Sequence, residues 1–542
     1  MLVWSSEEMA SCCGIYFGAT SVCLALHKDG KTDVVANDAG DRVTPAMVAY
    51  VGKDKNVGLG AKQGRIRNAA NTIMNVKHII GKYFDDPFVQ TLVKTSPCKI
   101  INKRNLPLFE VESNEKTIVV TPEEVLVLIF KKMYSIASSQ GGLDVMDVVL
   151  TIPTNFTGEQ SNTIRKAASA AGFKVCRIIN EPSAAALAYD IGQDTSAEIS
   201  NVLVYRLGGT SLSVVVLNVN SGMYRILESH NQVNCGGTHF TNSLVEICAD
   251  EFKRSWRADV RENKRGMAKL ANACETCKHV LSTLNSASTF VESVHEGIDF
   301  QNKISRAKLE SLIQSHLQMC LQPVDKVLES ANMTAADIHK VVVVGGSTRI
   351  PKLQQLLRAK FPEAEMLNTL APEEVIAIGA AKQAALISGY EDIQLLDLES
   401  VKGECIPYSL LVKVSNSDET SLQTAVPKNT YIPVRRQHTY TIQQDKSSVC
   451  IGVYVGEEGS TEEECTLVAN LVLTDLPTDC QKEKQVTTVF HYRREGSIHI
   501  TCTEVVSGKS SGVTIETGEP AAVEEPSKVV NEELNSAGAP EQ

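Results

Sequence analysis

From about residue 11 to residue 390, β-branched apolar runs alternate with stretches whose apolar residues recur at helical spacing, which predicts strands and helices in alternation and so an α/β architecture. Val148-Val149-Leu150-Thr151-Ile152 reads as a strand ended by Pro153, and Gly158 to Ala171 reads as a helix stopped by Gly172. After Gly389 the texture changes. Ile393 to Leu398 is a short apolar and acidic stretch, and from about 405 to 516 helical spacing gives way to short alternating strands such as Tyr440-Thr441-Ile442 and Val449 to Tyr454. Val489 to Arg494 and Ser497 to Thr503 flank Glu495-Gly496, a two-residue hairpin turn, so an antiparallel β unit is expected here. Thr517 to Gln542 is dominated by Glu, Pro, Ser and Ala, the composition of a disordered tail. The expected segments are therefore 1–392, 393–400, 401–516 and 517–542.

Three glycine-rich turns punctuate the α/β part: Gly14 to Thr20, Val204 to Ser211 and Val344 to Ile350. Each reads as a strand, a tight turn and a continuing strand or helix start. Without side chains at such a turn, backbone N–H groups can approach and cradle phosphate oxygens. One turn would be a weak signal, since glycine also ends ordinary strands; three predict a phosphate cleft. The turns near residues 14 and 204 each open a run of strands, which predicts two related lobes with a ligand between them.

Length and composition narrow the class. A chain of 542 residues exceeds one core and suggests roughly three or four folding units. The longest apolar runs, such as Val125 to Phe130, fall short of the roughly 20 residues that span a bilayer, and the acidic N-terminus lacks the basic start and apolar stretch of a signal peptide. Fifteen cysteines, an odd count scattered through apolar segments, favour reduced thiols in the cytosol over a disulfide framework. Cys274-Glu275-Thr276-Cys277 has no second pair at zinc-site spacing and is expected to be helical and buried. A net charge of −11 argues against direct nucleic-acid binding, and the locally basic segment Lys253 to Lys269 reads as a solvated helix face.

These segments, in this order, resemble the heat-shock protein 70 chaperone family. The resemblance rests on Asp41-Arg42-Val43-Thr44-Pro45, Val76-Lys77-His78-Ile79-Ile80-Gly81, Arg177 to Ala186, Glu296-Gly297-Ile298-Asp299-Phe300 and the run from Val344 to Pro351. It implies an actin-like, ribonuclease H-like two-lobed ATPase domain over 1–392, an apolar linker over 393–400 and a truncated, peptide-binding antiparallel β-sandwich over 401–516. The 26 residues after Glu516 leave no room for the family's helical lid, so none is expected. The implied cofactor is ATP. Gly18, Thr20, Gly208, Gly209 and Ser211 would surround its phosphates, with Lys77 and Glu181 beside the γ-phosphate and the attacking water; Glu275, Lys278, Ser282, Gly346, Ser347 and Arg349 would surround the adenosine.

Departures from the family pattern cluster at the hydrolytic centre. Tyr16, Arg206 and Ser213 stand where the resemblance implies three aspartates, Ala19 replaces a threonine and Thr210 a glycine. His279 replaces an arginine that stacks on adenine, Glu373 replaces an aspartate, and Thr238-His239 is a further departure. Magnesium is held by one or two carboxylates plus waters and phosphate oxygens, so its usual ligands are missing here and a hydrolysis-poor binding site is expected. Two readings of Arg206 stay open: its guanidinium faces the β- or γ-phosphate in place of part of the metal charge, or it pairs with Glu181 or points to solvent. Lys77 and Glu181 have an alternative reading as an ion pair bridging the lobes.

Lidless, acid-depleted members of the family include the atypical chaperone subunit of the ribosome-associated complex. That likeness implies a cytosolic partner, a zuotin-type J-domain protein, and through it the ribosome, nascent polypeptides and a second, catalytically active chaperone; no membrane and no direct nucleic-acid contact are implied. The competing readings are a conventional ATP-hydrolysing, peptide-binding chaperone and a sugar-kinase-like phosphotransferase, the latter disfavoured by a β unit after a chaperone-type linker.

Overall fold

The computed structural model describes residues 11–141, 146–193, 199–220, 223–388, 406 and, with short breaks, 408–515. The expected linker 393–400, the Glu495-Gly496 turn and the tail 517–542 lie outside the described residues. The chain divides into two compact units at residues 407–408.

In the first unit two sheets share one topology. One runs, in spatial order, Lys31–Val34, Ser21–Lys28, Cys12–Phe17, Met146–Ile152, Phe173–Asn180. The other runs Met223–Val233, Ser211–Asn220, Ser200–Leu207, Lys340–Val344, Glu365–Leu367. In both, the first three strands in sequence form an antiparallel meander and the last two add on in parallel. Parallel neighbours need crossovers, and helices such as Pro122–Gly141 and Gly158–Ala170 supply them in the first lobe. The helix Gly158–Ala170 opens with a capping box between Thr157 and Gln160, and Gly172, at φ +112°, turns the chain after it. The central strands are buried along nearly their whole length, which is why they read as unbroken apolar runs such as Val341 to Val344.

Each lobe has its own core, and a third core lies between the two sheets. It is built around two helices, Glu181–Ala188 and Val375–Ser388, whose residues are small and apolar on nearly every side. A helix without a polar face must be covered all round; Glu181–Ala188 is buried throughout, and Val375–Ser388 is buried over Val375 to Ala381. Their backbones nearly touch, for a Cβ at Gly379 would lie 1.7 Å from the Ala184 carbonyl oxygen; on the strand Cys12–Phe17, one at Gly14 would lie 2.1 Å from the Ala381 nitrogen. Only glycine fits at either point.

The second unit contains two four-stranded antiparallel sheets. One is ordered Gln423–Val426, Ser409–Val414, Val449–Gly456, Thr466–Leu473, the other Val434–Ile442, Lys484–Tyr492, Ile498–Glu504, Ser510–Ile515. Ile498–Glu504 alternates buried and half-buried positions along its length, the period of a strand with one covered face. The Tyr408 and Tyr492 hydroxyls meet at 2.9 Å and tie the residue before the first sheet to the second sheet. No helix among the described residues is long and apolar enough to cross a membrane.

Replacing Gly379 by alanine is expected to cost about 1–3 kcal/mol or more, because the added methyl group meets backbone that cannot swing aside. Gly64→Ala, at the end of the helix Leu59–Gly64 with nothing within 4 Å of the new Cβ, should instead be neutral or stabilising by up to about 1 kcal/mol. Thermal unfolding of the two variants checks this, and equal midpoints would refute the close-packing argument.

Candidate functional site

The first two glycine turns are copies of one another. Gly18 N–H donates to the Ser21 carbonyl and Gly208 N–H to the Ser211 carbonyl, both at 2.9 Å, each closing the hairpin between the first two strands of its sheet. They come together across the cleft, for a Cβ on Gly209 would lie 2.6 Å from Thr20 Cγ2. The third turn joins them through Ser347, whose hydroxyl donates to the Gly208 carbonyl at 2.8 Å. Gly345 there takes φ +92° with its α-carbon against the Leu207 carbonyl, a conformation and an approach that both need glycine. A fourth segment, Gly236-Gly237 at the start of the helix Gly237–Trp256, donates from Gly237 N–H to the Gly208 carbonyl at 3.0 Å. Gly208 and Gly209 are thus the hub of the cleft.

At its base lies a cluster of buried charge. Glu181 opens its helix, where the helix dipole favours a carboxylate. Lys77 donates to Glu181 Oε1 at 2.7 Å and to the Phe17 carbonyl at 2.5 Å. Arg206 Nε faces Glu181 Oε2 at 2.9 Å as an ion pair without hydrogen-bond alignment, and its Nη1 donates to the Ser211 hydroxyl at 3.3 Å. All three charged side chains are buried. Burial works to raise the Glu181 carboxyl, but the charges of Lys77 and Arg206 outweigh it and hold the group below its ordinary range. Tyr16 completes the cluster: its ring lies 5.4 Å from the Lys77 ammonium, and burial, opposed by the nearby charge of Arg206, pushes its pKa up to about 12. The phenol therefore stays protonated.

Of the two readings of Arg206, the structure shows the pairing with Glu181. Lys77 and Glu181 do not bridge the lobes, because both are attached to the first; Arg206, from the second sheet, makes the crossing. Ser213, the cross-strand partner of Arg206, lines a void of about one water's size with Glu181, Pro182, Val204, Val215 and Ile376. Two cations against one carboxylate leave a single positive charge in a buried site, which an anion would offset. The donor set fits a phosphate. It does not fit a carboxylate-anchored metal, because both Glu181 oxygens already face cations, and no cluster of three His, Cys, Asp or Glu suited to an ion occurs among the described residues.

The residues assigned to adenosine divide into two groups. Lys278 and Ser347 join the hub: Lys278 donates to the Gly237 carbonyl and to the Thr241 hydroxyl, both at 2.9 Å, and burial draws its ammonium down to about 8. Glu275 and Ser282 stand one turn to either side of Lys278 on the helix Lys264–Thr283, and Ser282 donates to the Lys278 carbonyl at 3.2 Å. Gly346 is open, with nothing within 4 Å of a would-be Cβ. Arg349 is exposed and held by Glu373 at 2.6 Å. Cys274 and Cys277 are buried on the same helix as Glu275.

One functional contact has no local signal. His78, next to Lys77, meets the Thr210 hydroxyl across the cleft at 2.8 Å, and burial followed by the charges of Lys77 and Arg206 brings its pKa down to about 3, so the ring is neutral. The departure of Thr210 from glycine was visible in the chain; its partner, 132 residues away, was not.

The profile of the family described as "Hsp70 protein" matches residues 12–542. Among curated proteins the chain is similar to heat shock 70 kDa protein 14 of Danio rerio, at 46% identity over 94% of this chain and 99% of the relative. The proteins of that name from Bos taurus and Homo sapiens are each 46% identical over 93% of this chain and 99% of the relative. Joined to the paired lobes and the three-turn cleft, these matches establish that the chain belongs to the Hsp70 family of chaperones.

Proposed function

We propose that this chain is an atypical Hsp70-family chaperone subunit that binds ATP firmly but hydrolyses it little or not at all. The observation that carries the reading is the Arg206–Glu181 pair at the base of the cleft. In phosphoryl transfer the metal bridges phosphate oxygens and neutralises developing charge while a second group positions the attacking water. Here Arg206 occupies the cluster as a fixed, always-charged group, and Glu181, the residue that would orient water, is consumed by two cations. Gly18, Thr20, Gly208, Gly209 and Ser211 would hold the phosphates, and Glu275, Lys278, Ser282, Gly346, Ser347 and Arg349 the adenosine. The nucleotide supplies a polyanion that offsets the excess positive charge; the chain's residues bind and orient it without activating water.

A chaperone that holds nucleotide without cycling it is suited to act as a stable scaffold. In the reading supported by its likeness to the heat shock 70 kDa protein 14 group, this one works in the cytosol with a zuotin-type J-domain protein. Through that partner it stands at the ribosome and helps keep nascent polypeptides folding-competent, alongside a second, active chaperone. The two antiparallel sheets of the second unit would form the peptide-binding sandwich.

ATP is expected to bind with little dependence on magnesium, by calorimetry with the ion and with a chelator, and to be recovered intact after prolonged incubation. Arg206→Ala should weaken binding about tenfold or more, because Lys77 and Glu181 then cancel and no excess positive charge is left for the phosphates to offset. Binding abolished by chelation, or steady magnesium-dependent turnover stimulated by a J-domain protein, would restore the conventional ATPase reading.

Ribosome association should be indirect, since the net charge of −11 opposes contact with RNA. After depletion of the J-domain partner, the chain should leave the ribosomal fractions of a density gradient for the light ones. Full retention on ribosomes would refute the indirect route.

His78 also sets a pH dependence. Its folded pKa of about 3 lies below the ordinary 6.5, so the unfolded chain takes up a proton there that the folded one refuses, and stability falls as pH drops from 6.5 toward 3 while being complete above 6.5. In His78→Gln the acid side of the stability profile, read by denaturant titration, should be flatter. An unchanged acid side would mean that His78 is protonated in the fold.

A further inference from the structure

Two thiols from distant parts of the chain meet beside the nucleotide turns. Cys235 lies between the strand Met223–Val233 and the helix Gly237–Trp256, and Cys320 lies mid-way along the helix Gln314–Ser330. Their sulfurs are 3.2 Å apart, so that a movement of about 1 Å would bring them to the roughly 2.05 Å of a disulfide. Both backbones are anchored. Cys235 N–H donates to the Thr210 carbonyl at 3.3 Å, and the Cys320 carbonyl accepts from the Tyr205 hydroxyl at 3.1 Å.

The two environments differ in a way that suits reaction. Cys320 is fully enclosed, whereas Cys235 keeps 5% exposure. Cys235 also stands just ahead of the N-terminus of a 20-residue helix, whose dipole favours a thiolate. The hydrogen bond between the two sulfurs acts in the same direction. A second pair of neighbouring thiols in the same lobe, Cys248 and Cys274, is fully enclosed, and both lie inside helices.

We propose that Cys235 and Cys320 form an oxidation site that a small peroxide converts to a disulfide, reshaping the nucleotide hub. The Cys235 thiolate attacks one peroxide oxygen; the O–O bond breaks, the other oxygen leaves as hydroxide and becomes water, and Cys235 is left as a sulfenic acid. Cys320 sulfur then attacks the Cys235 sulfur, the S–S bond forms, the S–O bond breaks, and a second water leaves with the Cys320 proton. In sum two thiols and one hydrogen peroxide give one disulfide and two waters. The segment pulled by this bond has no slack: a Cβ on Gly236 would lie 2.5 Å from the Gly208 carbonyl, and one on Gly237 would lie 2.5 Å from Ser347 Oγ and 3.1 Å from Lys278 Nζ. Shifting Cys235 toward Cys320 therefore disturbs Gly208, Ser347 and Lys278 together. This consequence for nucleotide rests on the ATP-binding reading; formation of the disulfide does not.

The test uses the full chain, reduced and then exposed to hydrogen peroxide, with peptide mass spectrometry as the first readout. A Cys235–Cys320 cross-linked peptide lighter by two hydrogens, reversed by dithiothreitol, is expected, and in Cys320→Ser a dimedone-type reagent should capture sulfenic acid at Cys235. Calorimetry is the second readout: oxidation should weaken ATP binding about tenfold, reduction should restore it, and Cys320→Val should be insensitive. Oxidation of the partly exposed Cys176 or Cys450 without the cross-link, or a cross-link at Cys248–Cys274 instead, would overturn the site. A cross-link that leaves ATP affinity unchanged would overturn its coupling to nucleotide. A reduced chain that binds no ATP but still forms the cross-link would overturn the ATP-binding reading and leave the oxidation site standing.

Discussion

The near-contact of Gly379 with the Ala184 carbonyl is the constraint on which the ATPase-like unit depends. Two helices pass backbone to backbone between two sheets because small residues line the crossing. Interiors pack at crystal-like density, so a single methyl group there would move one helix against the other. Glu181 is the first residue of one of those helices, and Arg206 is the last but one of a strand of the opposite sheet. Their meeting at 2.9 Å is set by how closely the helices between the sheets can approach. The same crossing brings Thr20 against Gly209 and so decides whether the two turns form one cleft or two separate hairpins.

Within that frame the cleft differs from a metal-dependent hydrolytic site by the kind of charge it carries. A metal ion brings ordered water and leaves with product; a guanidinium brings neither water nor the option of leaving. Tyr16, protonated and stacked beside Lys77, adds bulk and a neutral donor where a carboxylate would add negative charge. Thr210 and the neutral His78 hold the lobes together by a further hydrogen bond. Each substitution alone alters one contact. On the proposed reading, together they exchange a turnover site for a static one.

Much of this architecture was legible in the chain because it is written in short-range patterns. The glycine turns, the β-branched runs and the stop at Gly172 are local features with a local physical cause, and both sheets formed where those patterns lay. Glu275, Lys278 and Ser282 were marked by the family resemblance, and the helix Lys264–Thr283 sets them a turn apart on one face. Partner choice was not legible. Arg206 could have turned to solvent, and nothing nearby in the sequence distinguishes that from its pairing with Glu181, which follows from sheet topology. His78 and Thr210, and Cys235 and Cys320, are joined by packing across long stretches of chain. The basic run from Lys253 to Lys269 is solvated as its composition suggests, but it is no bare face: Lys253 pairs with Asp259, and Arg261 with Glu246 and Asp250.

The excess positive charge of Lys77, Glu181 and Arg206 has a thermodynamic meaning beyond the site. A charge buried without its counter-charge lowers the stability of the folded state, and a ligand that binds only that state raises it by mass action. Folding and nucleotide occupancy are then two sides of one linked equilibrium. On the proposed ATP-binding reading, the population of folded chain would rise and fall with the free nucleotide around it, making ATP a structural component of this chaperone and its abundance in a cell a function of energy supply.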